Sequence, residues 1–271
     1  FSKGKIMSHE QASVTLVRSY FQESMEAQKL VAFQDKDFPR IRVVENAWVR
    51  YALLRVLWTH TAPIKFQNNL TPFKAMFAYT VMALQSSKFW DGQAMVEAMP
   101  SCWAKSLAGN TGKTTALILC NALLGFKGRK PAQGSASSMP AAFERFDTQA
   151  DMPVAFDEMV TVNAGTSLQE ISQQAQKVKD ITHCTYDQVP RVVCTKTRNP
   201  KSPFICTSNV LVNEKDSAFL SRLLIIAFAP LQATIGTAEQ RQEVGRTWKD
   251  TNDMVSCLLP DLENLLHDGK L

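Results

Sequence analysis

Residues 107–115 read Leu-Ala-Gly-Asn-Thr-Gly-Lys-Thr-Thr, and this stretch decides the fold that we expect. A short apolar run at 102–108 precedes it, and a run typical of a helix at 114–124 follows it. A glycine-rich turn between a strand and a helix directs backbone N–H groups and the positive end of the helix dipole toward an anion. Its lysine reaches the β- and γ-phosphates, and the next hydroxyl ligates Mg²⁺. We therefore predict a nucleoside triphosphate site whose binding residues are Gly109, Asn110, Thr111, Gly112, Lys113, Thr114 and Thr115.

The turn departs at one position from the common spacing G-x-x-x-x-G-K-[ST]. Leu107 stands where that spacing has its first glycine, and Gly109 lies inside the loop instead. A glycine at the first position permits a sharp turn with unusual backbone angles. We therefore expect the beginning of this loop to have a different shape.

The bulk composition is that of a globular protein. The chain has 271 residues, of which 45% are hydrophobic and 20% charged, and it is long enough for one large domain or two modest ones. No apolar run approaches the roughly 20 residues that cross a bilayer, so we expect no membrane partner. The six cysteines lie singly, which favours buried thiols in a reducing compartment, cytoplasmic or nuclear, over disulfides or a metal site. Because the chain begins at Phe1 rather than Met, we expect a fragment of a longer protein.

Helical and strand-like runs are distributed unevenly along the chain. The first hundred residues have helical spacing, most clearly at 8–33, 43–59 and 71–87. From residue 101, short apolar runs alternate with helical ones, among them 167–179 and 214–222, which predicts a parallel sheet covered by helices on both faces. The last forty residues return to helix, with a break marked by Pro260. We therefore predict an α/β fold of the P-loop NTPase type in three parts: a helical segment at 1–98, a P-loop ATPase core at 99–232 and a helical segment at 233–271.

Two carboxylates supply the expected second half of the phosphate site. Asp157 and Glu158 follow directly after the apolar run at 153–156. An aspartate at the end of a strand can hold Mg²⁺ together with Thr114, and the adjacent glutamate can orient or deprotonate the attacking water. The alternative is a pair of solvated carboxylates where a strand ends.

Asn209 and Arg222 are two further candidates. Asn209 ends the strand-like run 203–209, where its amide can contact the attacking water or the γ-phosphate, although an asparagine there also suits the start of a loop. Arg222 precedes the apolar run at 223–228. At the end of a helix an arginine needs no function, but at a subunit boundary it can reach the γ-phosphate of a neighbour.

Taken in order, these motifs resemble those of superfamily 3 helicases, the AAA+-type replicative helicases of small DNA viruses, plasmids and related mobile elements. The matching stretches are GNTGKT at 109–114, VAFDE at 154–158, PFICTSN at 203–209 and FLSR at 219–222. The resemblance implies that Lys113 and Thr114 bind ATP and Mg²⁺ and that Asp157 and Glu158 form the acidic pair. It further implies that Asn209 is a sensor and that Arg222 is an arginine finger acting across a subunit interface. The helical segment at 1–98 would then serve oligomerisation.

The resemblance also implies a DNA-binding hairpin. Between residues 177 and 201 the chain carries six lysines or arginines against two aspartates, a run that by charge alone suits a solvated face. In the helicase family such a segment forms a β-hairpin that lines a central pore. Here the run 191–195 and a turn around 199–200 predict that hairpin, with Lys196 and Arg198 near its tip and Arg191 as a third DNA contact.

The function implied by the resemblance is ATP-dependent DNA unwinding in replication. The partners would be single-stranded or forked DNA and further copies of this chain in a ring, expected to be a hexamer. A primase or origin-binding domain would precede this chain in the full-length protein. Two alternatives share the nucleotide residues: an AAA+ ATPase that acts on protein partners, and an oligomeric scaffold that binds nucleotide without unwinding DNA.

Overall fold

The computed structural model describes residues 44–86, 98–126, 132–149, 152–162, 165–187, 191–193, 196–198, 200, 202–232 and 237–267. Its internal contacts divide the chain into two compact units. In described residues, one unit comprises 44–70, 121–126, 231–232 and 237–267, and the other comprises the rest. The three-part division expected from sequence stays a prediction.

The described α-helices are α1 (Ala47–Arg55), α2 (Ala62–Phe66), α3 (Leu70–Ala83), α4 (Lys113–Leu123), α5 (Met139–Gln149), α6 (Leu168–Asp187), α7 (Ser217–Leu220), α8 (Ala238–Met254) and α9 (Leu259–His267). A π-helical turn, Val56–Thr61, joins α1 to α2, and 3₁₀ turns cover Gln67–Asn69 and Val255–Leu258. The described strands are β1 (Ser101–Lys105), β2 (Ala132–Gln133), β3 (Val154–Asp157), β4 (Arg191–Val193), β5 (Lys196–Arg198), β6 (Phe204–Ser208) and β7 (Leu223–Ala227).

Five strands form one sheet in the order β2-β3-β6-β1-β7, and each neighbouring pair is parallel. The predicted parallel α/β sheet is therefore confirmed. The central strands β1, β3 and β6 are buried along nearly their whole length, as expected for strands that helices cover on both faces. The edge strand β7 leaves Leu224 and Ile225 partly exposed. Because β6 lies between β1 and β3, the residue after β6 emerges between the phosphate loop and the acidic pair.

A row of aromatic side chains fixes the sheet to α5. Phe143 lies against Phe146, Phe146 against Phe156 and Phe156 against Phe204, with ring centroids 6.1, 6.0 and 6.4 Å apart. All four rings are almost completely buried. Tilted and edge-to-face ring pairs at these distances add to the hydrophobic gain of burial. This cluster holds the end of β3, and with it the acidic pair, in a defined position.

The other unit is helical in its described part. Asn46 caps α1 by accepting a hydrogen bond from the backbone N–H of Trp48, and Arg50 donates to Asp261 at 2.6 Å. The rings of Phe66 and Trp248 meet edge to face at 5.6 Å. The helical character expected near both chain ends is thus confirmed where the structure describes it, while the run at 8–33 lies outside the described residues.

Two helix boundaries differ from those expected, for local reasons. The helix expected to end at Lys179 continues to Asp187 as α6, since nothing in this polar run breaks a helix. The helix expected from Glu214 begins only at Ser217, because Asp216 serves as its N-cap and accepts from the Phe219 N–H at 3.0 Å. The break expected at Pro260 is confirmed: α8 ends at Met254, and Pro260 lies in the first turn of α9, where a missing N–H is harmless.

Two compositional expectations can be compared with the fold. Five of the six cysteines lie in the described part of the chain and are buried, and burial raises the pKa of the Cys120 thiol to about 12. No helix among the described residues is long and apolar enough to cross a membrane.

Candidate active site

The carboxyl-terminal ends of three adjacent strands build the candidate site. β1 leads into the phosphate loop, β3 ends at Asp157 with Glu158 directly after it, and β6 leads into Asn209. Because these strands are parallel neighbours, their carboxyl ends lie at the same edge of the sheet, which is where open α/β sheets bind ligands. The topology therefore brings together residues that are up to 100 positions apart in sequence, from Gly109 to Asn209.

The phosphate loop takes its shape from Ser106 and from two residues with left-handed backbone. The Ser106 hydroxyl accepts a hydrogen bond from the Ala108 N–H at 3.0 Å and donates to the Ala108 carbonyl at 2.7 Å. Positive φ angles fall at Asn110 (55°) and Gly112 (85°), and not at Leu107, whose side chain is 91% exposed. This explains how the loop dispenses with the glycine expected at position 107.

Lys113 lies inside the loop and is only 7% exposed. Its Nζ donates to the Thr111 hydroxyl at 3.2 Å and to Asn209 Oδ1 at 2.9 Å. Burial lowers the pKa of this lysine, while the nearby charges of Asp157 and Glu158 oppose the shift. The ammonium group is thus aimed into the site and held by the residue predicted to be the sensor.

Thr114 and Asp157 are joined directly. The Thr114 hydroxyl donates to Asp157 Oδ1 at 3.0 Å, and the Thr207 hydroxyl donates to the same oxygen. A hydroxyl and a carboxylate in contact are the hard oxygen ligands that suit Mg²⁺, which usually keeps several waters and takes its other ligands from phosphate. The two residues predicted to hold the metal therefore fit that role.

Glu158 has an unusual backbone conformation, with φ at +46°. Its N–H donates to the Thr207 hydroxyl at 3.1 Å, and its carbonyl accepts from the Ser135 N–H at 2.9 Å. A positive φ on a residue other than glycine costs free energy and persists only where its surroundings hold it, a pattern common at functional sites. Glu158 is held from both sides in this way.

A cavity of about 350 Å³ connects these groups. Its lining consists of the phosphate loop, residues 109–115, together with Glu158, Thr207, Ser208 and Asn209. The structure thus brings together all seven predicted nucleotide-binding residues, Glu158 and Asn209, and it places Asp157 in contact with Thr114. The sequence motifs had assigned no role to Thr207, which bonds both members of the acidic pair; its position two residues before Asn209 was the available signal.

Arg222 lies away from this cavity. It directly precedes β7, whose first residue pairs with the first residue of β1, so it is at the amino-terminal edge of the sheet. The phosphate loop follows Lys105, at the opposite end of β1. Arg222 and the phosphate loop are therefore separated by the length of the strand, on the order of 15 Å. Its guanidinium donates to Asp187 at 3.2 Å and lies over the Tyr186 ring at 5.3 Å from the centroid.

The basic segment contains the expected hairpin, with a different turn. β4 and β5 are antiparallel and pair Arg191 with Arg198 and Val193 with Lys196. The chain therefore reverses between residues 193 and 196 and not around 199–200, where the sequence pattern had predicted the turn. Lys196 is next to this turn as expected, whereas Arg198 and Arg191 pair at the open end, which corrects the expected place of Arg198.

The comparisons with known proteins are structural. No protein-family model and no curated protein matches the chain. Among solved structures it is similar to the active helicase Cch of SCCmec type IV, with a TM-score of 0.50 and 16% identity over 78% of this chain and 38% of that one. It is also similar to a JCV helicase structure with a bound inhibitor, with a TM-score of 0.44 and 11% identity over 95% of this chain and 62% of that one.

The chain thus spans 38% and 62% of these two helicase structures. At 16% identity, the likeness to Cch shows the fold. Together with the parallel sheet and the phosphate loop, it defines this protein as one with a P-loop NTPase fold. The resemblance to helicases seen in the sequence motifs is therefore confirmed at the level of fold.

Proposed function

We propose that this chain is the core of an ATP-dependent DNA helicase or translocase that acts in the replication of a virus, plasmid or mobile element. One observation carries the proposal: the phosphate loop, Glu158 and Asn209 line one cavity, with Asp157 bonded to Thr114 beside it. These are the groups that hydrolysis of a nucleoside triphosphate needs in one place.

Each group has a chemical task in the proposed reaction. Lys113 and the backbone N–H groups of the loop bind the β- and γ-phosphates, and Asn209 moves from Lys113 to the γ-phosphate or to the water. Thr114 and Asp157 would hold Mg²⁺, which neutralises the developing charge on the phosphates. Glu158 orients the attacking water and takes its proton.

The position of Arg222 supports hydrolysis at subunit interfaces. An arginine finger must reach the γ-phosphate, yet within one chain Arg222 lies at the other edge of the sheet from the phosphate loop. A neighbouring copy that places its amino-terminal sheet edge beside this cavity would supply the missing cation. We therefore propose a ring, with a hexamer as the expected number of subunits.

The β4–β5 hairpin supports DNA as the substrate. It is short, it directly follows the long helix α6 in the chain, and its strands contain Arg191, Lys196 and Arg198. Contacts from such residues to the phosphates of a single strand are independent of sequence, as translocation requires.

The test is the ATPase rate measured while single-stranded DNA is titrated in. We expect Mg²⁺-dependent hydrolysis that DNA stimulates several-fold, and a loss of about 10²-fold or more in Glu158→Gln, which keeps the side-chain shape without the base. Hydrolysis that DNA leaves unchanged would favour an ATPase acting on proteins. Binding of ATP with no turnover in the wild type would favour a nucleotide-binding scaffold.

A further inference from the structure

A short serine-rich loop holds the backbone of the acidic pair on the side opposite Thr207. We call residues 134–138 (Gly-Ser-Ala-Ser-Ser) the serine loop. Its Gly134 N–H donates to the Asp157 carbonyl at 2.7 Å, and its Ser135 N–H donates to the Glu158 carbonyl at 2.9 Å. These bonds continue the β2–β3 pairing past the end of the strands, so the positive φ at Glu158 depends on where the serine loop lies.

Lys177 on α6 fixes the serine loop. Its ammonium group donates to the carbonyls of Gly134 and Ser137, near the two ends of the loop. In the described part of the chain these carbonyls are its hydrogen-bond partners, and burial lowers the pKa of this half-buried lysine. Lys179, two residues further along α6, instead forms an ion pair with Asp216 at 2.7 Å. Lys177 therefore contacts the backbone of the loop, whereas Lys179 contacts a carboxylate elsewhere.

A second set of bonds ties the same face of α6 to the loop. Gln174, one turn before Lys177, accepts from the Thr161 N–H at 2.9 Å and donates to the Thr161 carbonyl at 3.3 Å. The Thr161 hydroxyl in turn donates to the Ser135 hydroxyl at 2.9 Å. Gly134 packs closely against Met159, because a Cβ on Gly134 would lie 2.7 Å from Met159 Cα and Sδ.

We propose that Lys177 is a positioning residue for ATP hydrolysis, acting through the serine loop on the backbone of Glu158. The inference rests on the proposed role of Glu158 as the base. Without the Lys177 bonds the serine loop can move away, and Glu158 can relax to an ordinary backbone conformation that carries its carboxylate away from the attacking water. The phosphate loop, on β1 and α4, keeps its own contacts, and the Asp157 carboxylate keeps its bonds to Thr114 and Thr207. Binding of Mg-ATP therefore does not change.

The experiment separates turnover from binding in the full chain. Basal ATPase without DNA and the Kd for Mg-ATP are measured for the wild type, Lys177→Met, Lys177→Arg and the control Lys179→Met. We expect Lys177→Met to lower kcat about tenfold or more, with a Kd that stays within about twofold, because a misplaced catalytic group costs rate and not affinity. Lys177→Arg should recover most of the rate, since a guanidinium can also donate to two carbonyls. Lys179→Met should match the wild type.

A second variant tests the same path should Lys177→Met fail to fold. Gly134→Ala leaves Lys177 intact but pushes the serine loop away from Met159, and we expect the same loss of kcat with unchanged Kd. The inference is wrong if both loop variants keep the wild-type kcat, if they lose affinity as much as rate, or if Lys179→Met behaves like Lys177→Met. A wild type without ATPase activity would overturn the proposed function, and the inference with it, whereas an active wild type with unaffected variants overturns the inference alone.

Discussion

The hydrogen bond between Lys113 and Asn209 is a contact that we expect nucleotide binding to break. Asn209 Oδ1 accepts from the Lys113 ammonium group at 2.9 Å. A triphosphate oxygen would be the stronger partner for that cation, because a hydrogen bond between two charged groups exceeds one to a neutral amide. Nucleotide binding would therefore release Asn209 toward the γ-phosphate or the attacking water.

The lowered pKa of Lys113 predicts a pH dependence of nucleotide affinity. Below this pKa the lysine is charged in both the free and bound states, so affinity is constant. As the pH rises through the lowered pKa, Lys113 of the free protein loses the proton that gives it the positive charge needed to bind the triphosphate. The affinity for Mg-ATP should then fall by up to about tenfold per pH unit. Titration calorimetry with Mg-ATP across alkaline pH measures this slope.

Lys113→Arg is the matched variant for this measurement, because arginine stays charged throughout that range. The affinity of this variant for Mg-ATP is expressed relative to its own value at neutral pH. We expect the fall of affinity with rising pH to vanish. A slope of equal size in both proteins would assign the pH dependence to a group other than Lys113.

At the scale of elements, the β4–β5 hairpin is the proposed DNA-binding part of the fold. It lies in the chain between α6 and β6, and β6 leads into Asn209. The first half of α6 is bonded to the segment after the acidic pair through Gln174 and Thr161. One continuous stretch of chain therefore runs from the site residues to the basic hairpin and back to the site.

Removal of the basic side chains of β5 tests the DNA role of the hairpin. The double variant Lys196→Ala/Arg198→Ala should lower strand unwinding at least tenfold while its ATPase rate without DNA stays within about twofold. Its affinity for single-stranded DNA should depend less on salt: the slope of log K against log salt should shrink by about 0.7 for each DNA phosphate that the variant no longer binds. Thr197→Ala, between the two, is the control. Unimpaired unwinding by the double variant would contradict the assignment.

At the scale of the whole molecule, the question is whether Arg222 acts on a neighbour. In the isolated chain the arginine is held by Asp187 and Tyr186 at the sheet edge opposite to the cavity. Both residues end α6, close in sequence to the hairpin. A move of Arg222 to a neighbour's γ-phosphate would break these contacts. Ring assembly and nucleotide binding would therefore change the contacts at the end of α6.

Mixing experiments measure this trans action. Arg222→Ala is added in increasing proportion to the wild type, and the ATPase rate per wild-type subunit is followed at a protein concentration that supports rings. We expect that rate to fall as mutant neighbours replace wild-type ones, because each site then lacks the cation, which is worth about 10³–10⁵ in known NTPases. Lys215→Ala, an exposed cation in the turn before α7, should have no effect. A constant rate per wild-type subunit would show that Arg222 does not act across an interface.

The sequence by itself determined the phosphate loop, the acidic pair and the alternation of strands and helices. These features are local: a glycine-rich turn, charged residues directly after apolar runs, and apolar periodicity act over a few residues. The same local character explains why the predictions for the end of α6 and the start of α7 were wrong, since caps and packing set those boundaries. The order β2-β3-β6-β1-β7 was not determined in this way, because pairing between strands depends on contacts over long separations in the chain.

Only the tertiary structure decided which residues meet. It set Asn209 between the loop and the acidic pair, gave Thr207 its bonds to Asp157 and Glu158, and brought Lys177 to the serine loop. It also separated Arg222 from the cavity by the length of a strand. The order of the motifs in the sequence did not show whether Arg222 lies inside the cavity or outside it. The physical reason is that a parallel sheet gathers the carboxyl ends of its strands at one edge and their amino ends at the other, whatever their distance in sequence.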